Sequence, residues 1–197
     1  MSVLDTLITD RTQADADRVA YLNAKGLANM TVDEQNEWNS PMKGAYHTRD
    51  LNRIGEAINY LVTQLNSAHA LPTNLCDDLG IAWDEFWYPE TWFPGWDTIT
   101  GVTGKTNWIY TNIPTPAQLA ELLANVDTVT GAVTIPRALP ASMDHLTVQG
   151  ANEIERAMQA EGAAITEWER MITQLANNTA AAWNYSGNIY SGNGGYA

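Results

Sequence analysis

The sequence is poor in cysteine and in basic residues. Its 197 residues include one cysteine, Cys76, which excludes an intrachain disulfide. Ten lysines and arginines stand against 23 aspartates and glutamates, giving a net charge of −13 and an isoelectric point near 4.4. A surface this acidic repels phosphate groups, so the composition disfavours nucleic acids and anionic membranes as partners.

Long apolar runs are also missing. No stretch approaches the roughly 20 apolar residues that span a membrane, and the N-terminus lacks the basic and apolar regions of a signal peptide. We therefore expect a protein made in the cytoplasm, with no membrane partner. Phenylalanine is scarce, with two residues against eight tryptophans and eight tyrosines. Tryptophan and tyrosine are enriched at interfaces, so this bias favours contacts with other proteins.

No pattern of residues predicts a catalytic centre, a metal site or a cofactor. His69, Cys76, Asp77 and Asp78 lie close together in the sequence, but their spacing matches no zinc motif. We therefore predict no metal, no cofactor and no enzymatic activity.

The most regular feature is a helical run from Thr147 to about Trp183. Apolar residues recur at alternating spacings of three and four, the a/d pattern of helices packed along a seam. Such a run, about 50 Å long at 1.5 Å per residue, needs a helical partner to cover its stripe. Glu161 interrupts the stripe and predicts a polar layer or a kink. The predicted interface residues of this seam are Ile154, Met158, Ile165, Trp168, Ile172 and Leu175.

A second seam lies on a helix that should begin at Thr48 or Asp50 and end near His69. Its predicted interface residues are Leu51, Ile54, Ile58, Leu61 and Leu65. The heptapeptide NRIGEAI at 52–58 is echoed by NEIERAM at 152–158. The echo indicates equivalent roles for the two long helices, which pack together or join a common bundle.

Shorter helices are predicted from caps and breakers. The first covers residues 11–25, after a cap at Thr9 or Asp10, and ends at Gly26. The second follows the capping box of Thr31 and Glu34 and runs to Trp38. The third covers residues 117–126.

These elements predict a mainly α fold, a helical bundle or coiled-coil-like long helices. The expected segments are an N-terminal helical module at 1–70, a Trp-rich irregular segment at 71–112, a C-terminal helical module at 113–183 and a Gly/Asn/Tyr tail at 184–197. Within the Trp-rich segment, β-branched residues predict a short hairpin around Val102 to Tyr110.

A belt of tryptophans is the most unusual feature of the middle segment; its members are Trp83, Trp87, Trp92, Trp96 and Trp108. Three interpretations stay open: a sugar-stacking platform, a core that holds the segment against the long helices, or a docking surface for another protein or copy. Carboxylates lie among the rings at Asp84, Glu85, Glu90 and Asp97. Nothing in an irregular segment fixes a separation between them, so they do not predict a glycosidase cleft.

The Gly-rich tail carries aromatic residues that need a contact if the tail is ordered. We predict tail contacts at Trp183, Tyr185, Tyr190 and Tyr196, made with a neighbouring copy or another protein.

Two stretches carry a family resemblance. The first consists of TDRTQADADRV at 9–19, LNAKG at 22–26, MT at 30–31, EW at 37–38, KGAY at 43–46 and DLNRI at 50–54. The second consists of NIPT at 112–115, LANV at 123–126, LP at 139–140, Met143, LT at 146–147, ANEIE at 151–155, AAWNYSG at 181–187 and YSG at 190–192. Together they resemble modules in minor structural and tail-associated proteins of phages and prophages infecting Firmicutes; the Trp-rich middle matches least.

The resemblance implies a virion structural protein, made in the bacterial cytoplasm and associated with the tail or baseplate. Its expected partners are copies of itself and other virion proteins, because phage assemblies are symmetric. The alternative is a carbohydrate-binding receptor or adhesin module that uses exposed tryptophans.

Overall fold

A computed structural model describes residues 2–40, 42–44, 46–79, 96–109, 111, 114–133 and 135–191, with only the backbone at 73, 76, 77, 79, 179, 180 and 182–191. Five α-helices are described: α1 (Gln13–Lys25), α2 (Val32–Asn39), α3 (Thr48–Leu79), α4 (Pro116–Thr130) and α5 (Val148–Ser191). Short 3₁₀ helices cover Val3–Thr6 and Leu27–Asn29, and the described residues contain no β-strand. The predicted mainly α class is therefore confirmed.

The two long helices, α3 and α5, run side by side in the same direction. Near their N-terminal ends, Arg53 of α3 reaches Glu155 of α5 at 3.0 Å. Further along, Leu61 lies beside Gly162. Matched positions are thus about 100 residues apart, which is the spacing of the sequence echo.

The apolar stripes of both helices are buried within the chain. Leu51 is 5% exposed, and the remaining α3 seam residues through Leu65 are fully buried. On α5, Ile154, Met158, Ile165 and Ile172 are at most 1% exposed, while Trp168 and Leu175 are partly buried. Each buried side chain of this size contributes roughly 1.5–3 kcal/mol, so the seam between the helices is the main apolar core.

The rest of the chain covers this pair of helices. Leu7 of the N-terminal arm, Trp96 and Trp108 of the middle segment, Leu122 and Val126 of α4, and the α3 and α5 stripes form one buried cluster. Residues from three of the four predicted segments therefore share a single core.

Several predicted boundaries differ from the structure. Thr12, rather than Thr9 or Asp10, caps α1 through a box with Asp15. The expected end of α3 at His69 is wrong, because the helix continues through Pro72 to Leu79. Proline inside a helix removes one hydrogen-bond donor and crowds the carbonyl of residue i−4, a cost that packing of the long helix outweighs here.

Two helix ends in the C-terminal half also lie beyond their predicted positions. The helix α4 ends at Thr130 rather than near Val126, because Val129 and Thr130 are themselves buried. The helix α5 extends to Ser191, past the expected end at Trp183. Gly26 and the capping box of Thr31 and Glu34 stand where predicted.

The hairpin predicted around Val102 to Tyr110 is wrong for the described residues 102–109, which have no regular secondary structure and pair with no strand among the described residues. Backbone groups of Gly104 and Trp108 bind asparagine side chains of α3 instead.

Candidate functional site

Three asparagines along α3 hold the irregular segment 96–109 against the helix. Asn52, Asn59 and Asn66 are spaced by seven residues and therefore lie on one flank of the helix. Each side chain accepts a hydrogen bond from a backbone N–H and donates one to the carbonyl of the same residue. The partners are Trp108 for Asn52 (2.8 and 3.1 Å), Gly104 for Asn59 (2.7 and 2.9 Å) and Ile99 for Asn66 (2.8 and 3.1 Å).

A pair of glycines allows the segment to approach this closely. A Cβ on Gly55 would stand 2.1 Å from the Lys105 carbonyl oxygen, and a Cβ on Gly104 would stand 1.9 Å from the Gly55 carbonyl oxygen. No other residue type fits at either position without moving the backbone. The asparagines and glycines together give the segment the backbone pairing that a neighbouring strand would supply.

The helix α5 holds the N-terminal arm, residues 2–11, in a related way. Asn152 pairs with both backbone groups of Arg11, at 3.0 and 2.9 Å. Seven residues later, Gln159 donates to the Leu4 carbonyl at 3.1 Å. Between them, Arg156 donates to the Thr9 carbonyl at 2.7 Å and Glu155 accepts from the Ile8 N–H at 2.6 Å. Like segment 96–109 on α3, the arm runs antiparallel to its helix.

A buried charge cluster lies where the arm, α3 and α5 meet, and it consists of Arg11, Asp50, Arg53 and Glu155. Arg11 contacts Asp50 at 3.1 Å and Glu155 at 2.6 Å. Arg53 bridges the same two carboxylates. Glu155 is fully buried, and Arg11 and Asp50 are 6% and 5% exposed. The cluster contains two cations and two anions and is therefore neutral.

Every carboxylate oxygen of this cluster has a donor. The oxygens of Asp50 accept from the two arginines and from the His47 N–H, and those of Glu155 accept from the arginines and from the Ile8 N–H. Asp50 accepts three such hydrogen bonds and Glu155 accepts four, so both carboxylates are held in fixed orientations. The cluster therefore connects the arm to both long helices.

Glu161 forms a polar layer within the seam, one of the two outcomes that the sequence left open. Its side chain is fully buried. One oxygen accepts from the Val133 N–H at 2.9 Å, and the other has no partner among the described residues. Burial raises the pKa of Glu161 to about 7, and the Val133 N–H and Arg137 oppose that effect only in part.

The tryptophan belt is only partly within the described residues. Trp96 and Trp108 are 8% and 3% exposed, so neither ring offers a face for stacking a sugar. Trp96 donates to the Leu65 carbonyl at 3.3 Å and its ring lies 5.7 Å from that of Trp168. Trp83, Trp87 and Trp92 lie outside the described residues, as does Tyr196. Trp183, Tyr185 and Tyr190 are in α5, but their side chains are outside the described set.

The asparagine positions and the charge cluster were missed by the sequence reasoning. The seven-residue spacing of Asn52, Asn59 and Asn66 is visible in the sequence and could have predicted that these asparagines share one flank of the helix. The pairing of Arg11 with Glu155 had no local signal, because the two residues are 144 positions apart.

In comparisons with known proteins, no protein-family model, curated protein or solved structure matches the chain. No helix in the described part of the chain has the length and hydropathy to cross a membrane. Among the same residues, no group of three or more histidine, cysteine or acidic side chains is placed to hold a metal ion.

Proposed function

We propose that this chain is a structural protein of a bacteriophage virion, associated with the tail or baseplate, that acts through contacts with its own copies and with other virion proteins. The observation that carries the proposal is the rod formed by α3 and α5. The helix α5 contains 44 residues, about 66 Å at the α-helical rise. We interpret the pair as coiled-coil-like, with in-register seams that stiffen the rod.

Among the residues that the structure describes, one end of the rod consists of α5 alone. Position 179 of α5 is matched with Leu79, the last residue of α3. Beyond it, α5 continues for about 12 residues, or roughly 18 Å. An isolated helix of that length is marginal in water, so contacts with a neighbouring molecule are the expected source of its stability.

The chemistry of the described residues supports an assembly role. The four charges of the buried cluster are paired with one another, and the long hydrogen-bonded segments brace the helices. The resemblance of residues 9–54 and 112–192 to tail-associated phage proteins points in the same direction. The net charge of −13 keeps such a protein from binding the packaged nucleic acid.

The test is quantitative mass spectrometry of virions purified from the phage or prophage that encodes the chain. We expect a fixed copy number relative to the capsid protein, such as about 3, 6 or 12, as closed symmetry requires. Absence of the chain from intact particles would overturn the proposal. A glycan-binding screen would then test the carbohydrate-binding alternative at Trp83, Trp87 and Trp92.

A further inference from the structure

A buried carboxylate lies beside the connector that joins α4 to α5, residues 131–147. One oxygen of Glu161 accepts from the Val133 N–H at 2.9 Å, and the other has no hydrogen-bond partner among the described residues. Arg137 of the same connector binds Asp127 of α4 instead, at 2.8 Å. The side chain of Asp127 is 64% exposed, whereas Glu161 is fully buried. The arginine therefore neutralises the exposed carboxylate and not the buried one.

Gly131 keeps the guanidinium of Arg137 close to the buried carboxylate. A Cβ at Gly131 would stand 2.6 Å from Arg137 Nη2, so the guanidinium lies against the Gly131 backbone. Val133, whose N–H binds Glu161, is two residues further on, at most about 7 Å along the chain. Arginine has several rotatable bonds, and a change of rotamer moves its head group over a distance of this size. No side chain at position 131 obstructs that movement.

The other elements packed around Glu161 offer it no competing charge. The arm and α3 present Leu4 and Leu61, whose side chains lie beside the residue that follows Glu161. Its neighbours in the α5 stripe are apolar. Asp97 lines a shallow surface pocket together with Arg137, but it is exposed and makes no ion pair with a described residue. Within the described part of the chain, Arg137 is the one side chain whose charge lowers the pKa of Glu161.

Ionisation of Glu161 reverses the balance between the two carboxylates. Burial raises the pKa of Glu161 to about 7, so its charge appears near neutral pH. A buried carboxylate with an unpaired oxygen destabilises the fold far more than an exposed ion pair stabilises it. Arg137 therefore loses little by leaving Asp127 and gains more by pairing with the ionised Glu161.

We propose that residues 131–137 form a pH-dependent switch, in which Arg137 leaves Asp127 and binds Glu161 when Glu161 releases its proton to solvent. The exchange frees Asp127, which lines both the shallow pocket beside residues 96–100 and a groove of about 860 Å³ between α4 and residues 139–144. The charge of these two surfaces then depends on pH. The switch goes beyond the proposed assembly role and does not depend on it, because all its contacts lie within one chain.

The test follows the side-chain carboxyl ¹³C resonance of Glu161 by NMR from about pH 4 to about pH 9. Arg137→Gln removes the cation and should raise the midpoint of the Glu161 titration by at least about one pH unit. Asp127→Asn removes the competing partner and should lower the midpoint by about half a unit. The double variant should titrate within about 0.2 unit of Arg137→Gln alone, because Asp127 acts through Arg137.

Two exposed substitutions serve as matched controls for charge. Arg170→Gln and Asp144→Asn make the same changes of net charge at sites outside the switch and should leave the Glu161 midpoint within about 0.2 unit. A midpoint unmoved by Arg137→Gln, or moved equally by Arg170→Gln, would overturn the proposal. So would an effect of Asp127→Asn that persists in full when Arg137 is absent.

The resonance of Asp127 gives a second, independent readout. In the unaltered chain its carboxyl ¹³C shift should change with the same midpoint as Glu161, because Arg137 departs at that pH. Glu161→Gln should abolish this step and leave the Arg137–Asp127 pair intact at every pH. If the Asp127 resonance shows no step at the Glu161 midpoint, Arg137 does not exchange and the switch is refuted.

Discussion

Each of the two long helices binds a segment of chain that runs along it, the arm on α5 and residues 96–109 on α3, and the two contacts use different chemistry. On α3, three asparagines bind segment 96–109 through neutral hydrogen bonds, and Gly55 lets the backbone of Lys105 approach. On α5, only Asn152 makes the same paired contact, and the position matched with Gly55 is Glu155, which binds Arg11 of the arm.

This difference predicts which substitutions weaken the contact of segment 96–109 with α3 and which weaken the contact of the arm with α5. An amide ladder distributes its free energy over several bonds of about 1 kcal/mol each. A buried ion cluster concentrates its contribution, because removal of one member leaves the others uncompensated in a medium of low polarity. The arm on α5 should therefore fail through single substitutions, whereas segment 96–109 on α3 should weaken in steps.

The largest expected effect comes from breaking the ion cluster on α5. Glu155→Ala leaves Arg11 and Arg53 with Asp50 as their only carboxylate, so we expect the free energy of unfolding to fall by about 3–5 kcal/mol. Urea denaturation followed by circular dichroism measures the change. The matched control is Glu153→Ala, a partly exposed glutamate on α5 that pairs with Arg156, which should cost less than about 1 kcal/mol. Equal effects of the two substitutions would refute the special role of the cluster.

The next effect exploits a difference within the seam, where Leu61 of α3 is matched by Glu161 of α5. The pKa of Glu161 is raised to about 7 in the folded chain and lies near 4.5 when the chain is unfolded. Between these values the folded state keeps a proton that the unfolded state loses, so stability falls as pH rises from about 4.5 to about 7. At about 1.4 kcal/mol for each pKa unit, the loss is roughly 3 kcal/mol.

Glu161→Gln removes this titration while keeping an acceptor for the Val133 N–H. We expect the variant to match the unaltered chain below pH 4.5 and to exceed it by up to roughly 3 kcal/mol above pH 7. Denaturation midpoints measured at steps across this range test the difference. Glu167→Gln is the control, since the exposed Glu167 has its pKa lowered by Arg170 and should not alter the slope between pH 5 and 8. A constant gap between Glu161→Gln and the unaltered chain at all pH values would contradict the assignment.

The third prediction compares the stability effects of alanine substitutions at Gly55 and at Gly162. Glycine to alanine inside a helix normally adds up to about 1 kcal/mol of stability. At Gly55 the new Cβ meets the backbone oxygen of Lys105, whereas at Gly162 it meets Leu4 Cδ1, the end of a side chain that can rotate. We expect Gly55→Ala to lose about 1–3 kcal/mol and Gly162→Ala to change by less than about 1 kcal/mol in urea denaturation. Stabilisation by Gly55→Ala would show that the segment does not rest on the helix.

Local signals predicted the helices well. The stripes from Leu51 to Leu65 and from Ile154 to Ile172 follow from their periods, and both are buried in the structure. The capping box of Thr31 and Glu34 and the stop at Gly26 follow from backbone chemistry that involves only neighbouring residues.

Long-range contacts were beyond reach of the same reasoning. The β-branched residues around Val102 favour a strand, but a strand needs a backbone partner, and here Asn59 and its neighbours on α3 take that place. Likewise, nothing near Arg11 indicates Glu155, because their contact exists only after the arm has folded along α5. Propensity cannot anticipate partners that tertiary packing supplies.

The smallest effect compares Asn59, the middle asparagine of α3, with Gln159, the last α5 residue that binds the arm. Asn59→Ala leaves both backbone groups of Gly104 without their partner, which should cost about 1–2 kcal/mol because the site is partly buried. Gln159→Ala removes a single bond to the Leu4 carbonyl and should cost less than about 1 kcal/mol. Hydrogen exchange of the Gly104 amide gives a local readout, since its protection should fall in Asn59→Ala and stay unchanged in Gln159→Ala. Unaltered Gly104 protection in Asn59→Ala would mean that Asn59 does not hold the segment. Gly55 packing, Asn52 and Asn66 would then hold it alone, and the binding on α3 would depend on as few residues as the binding on α5.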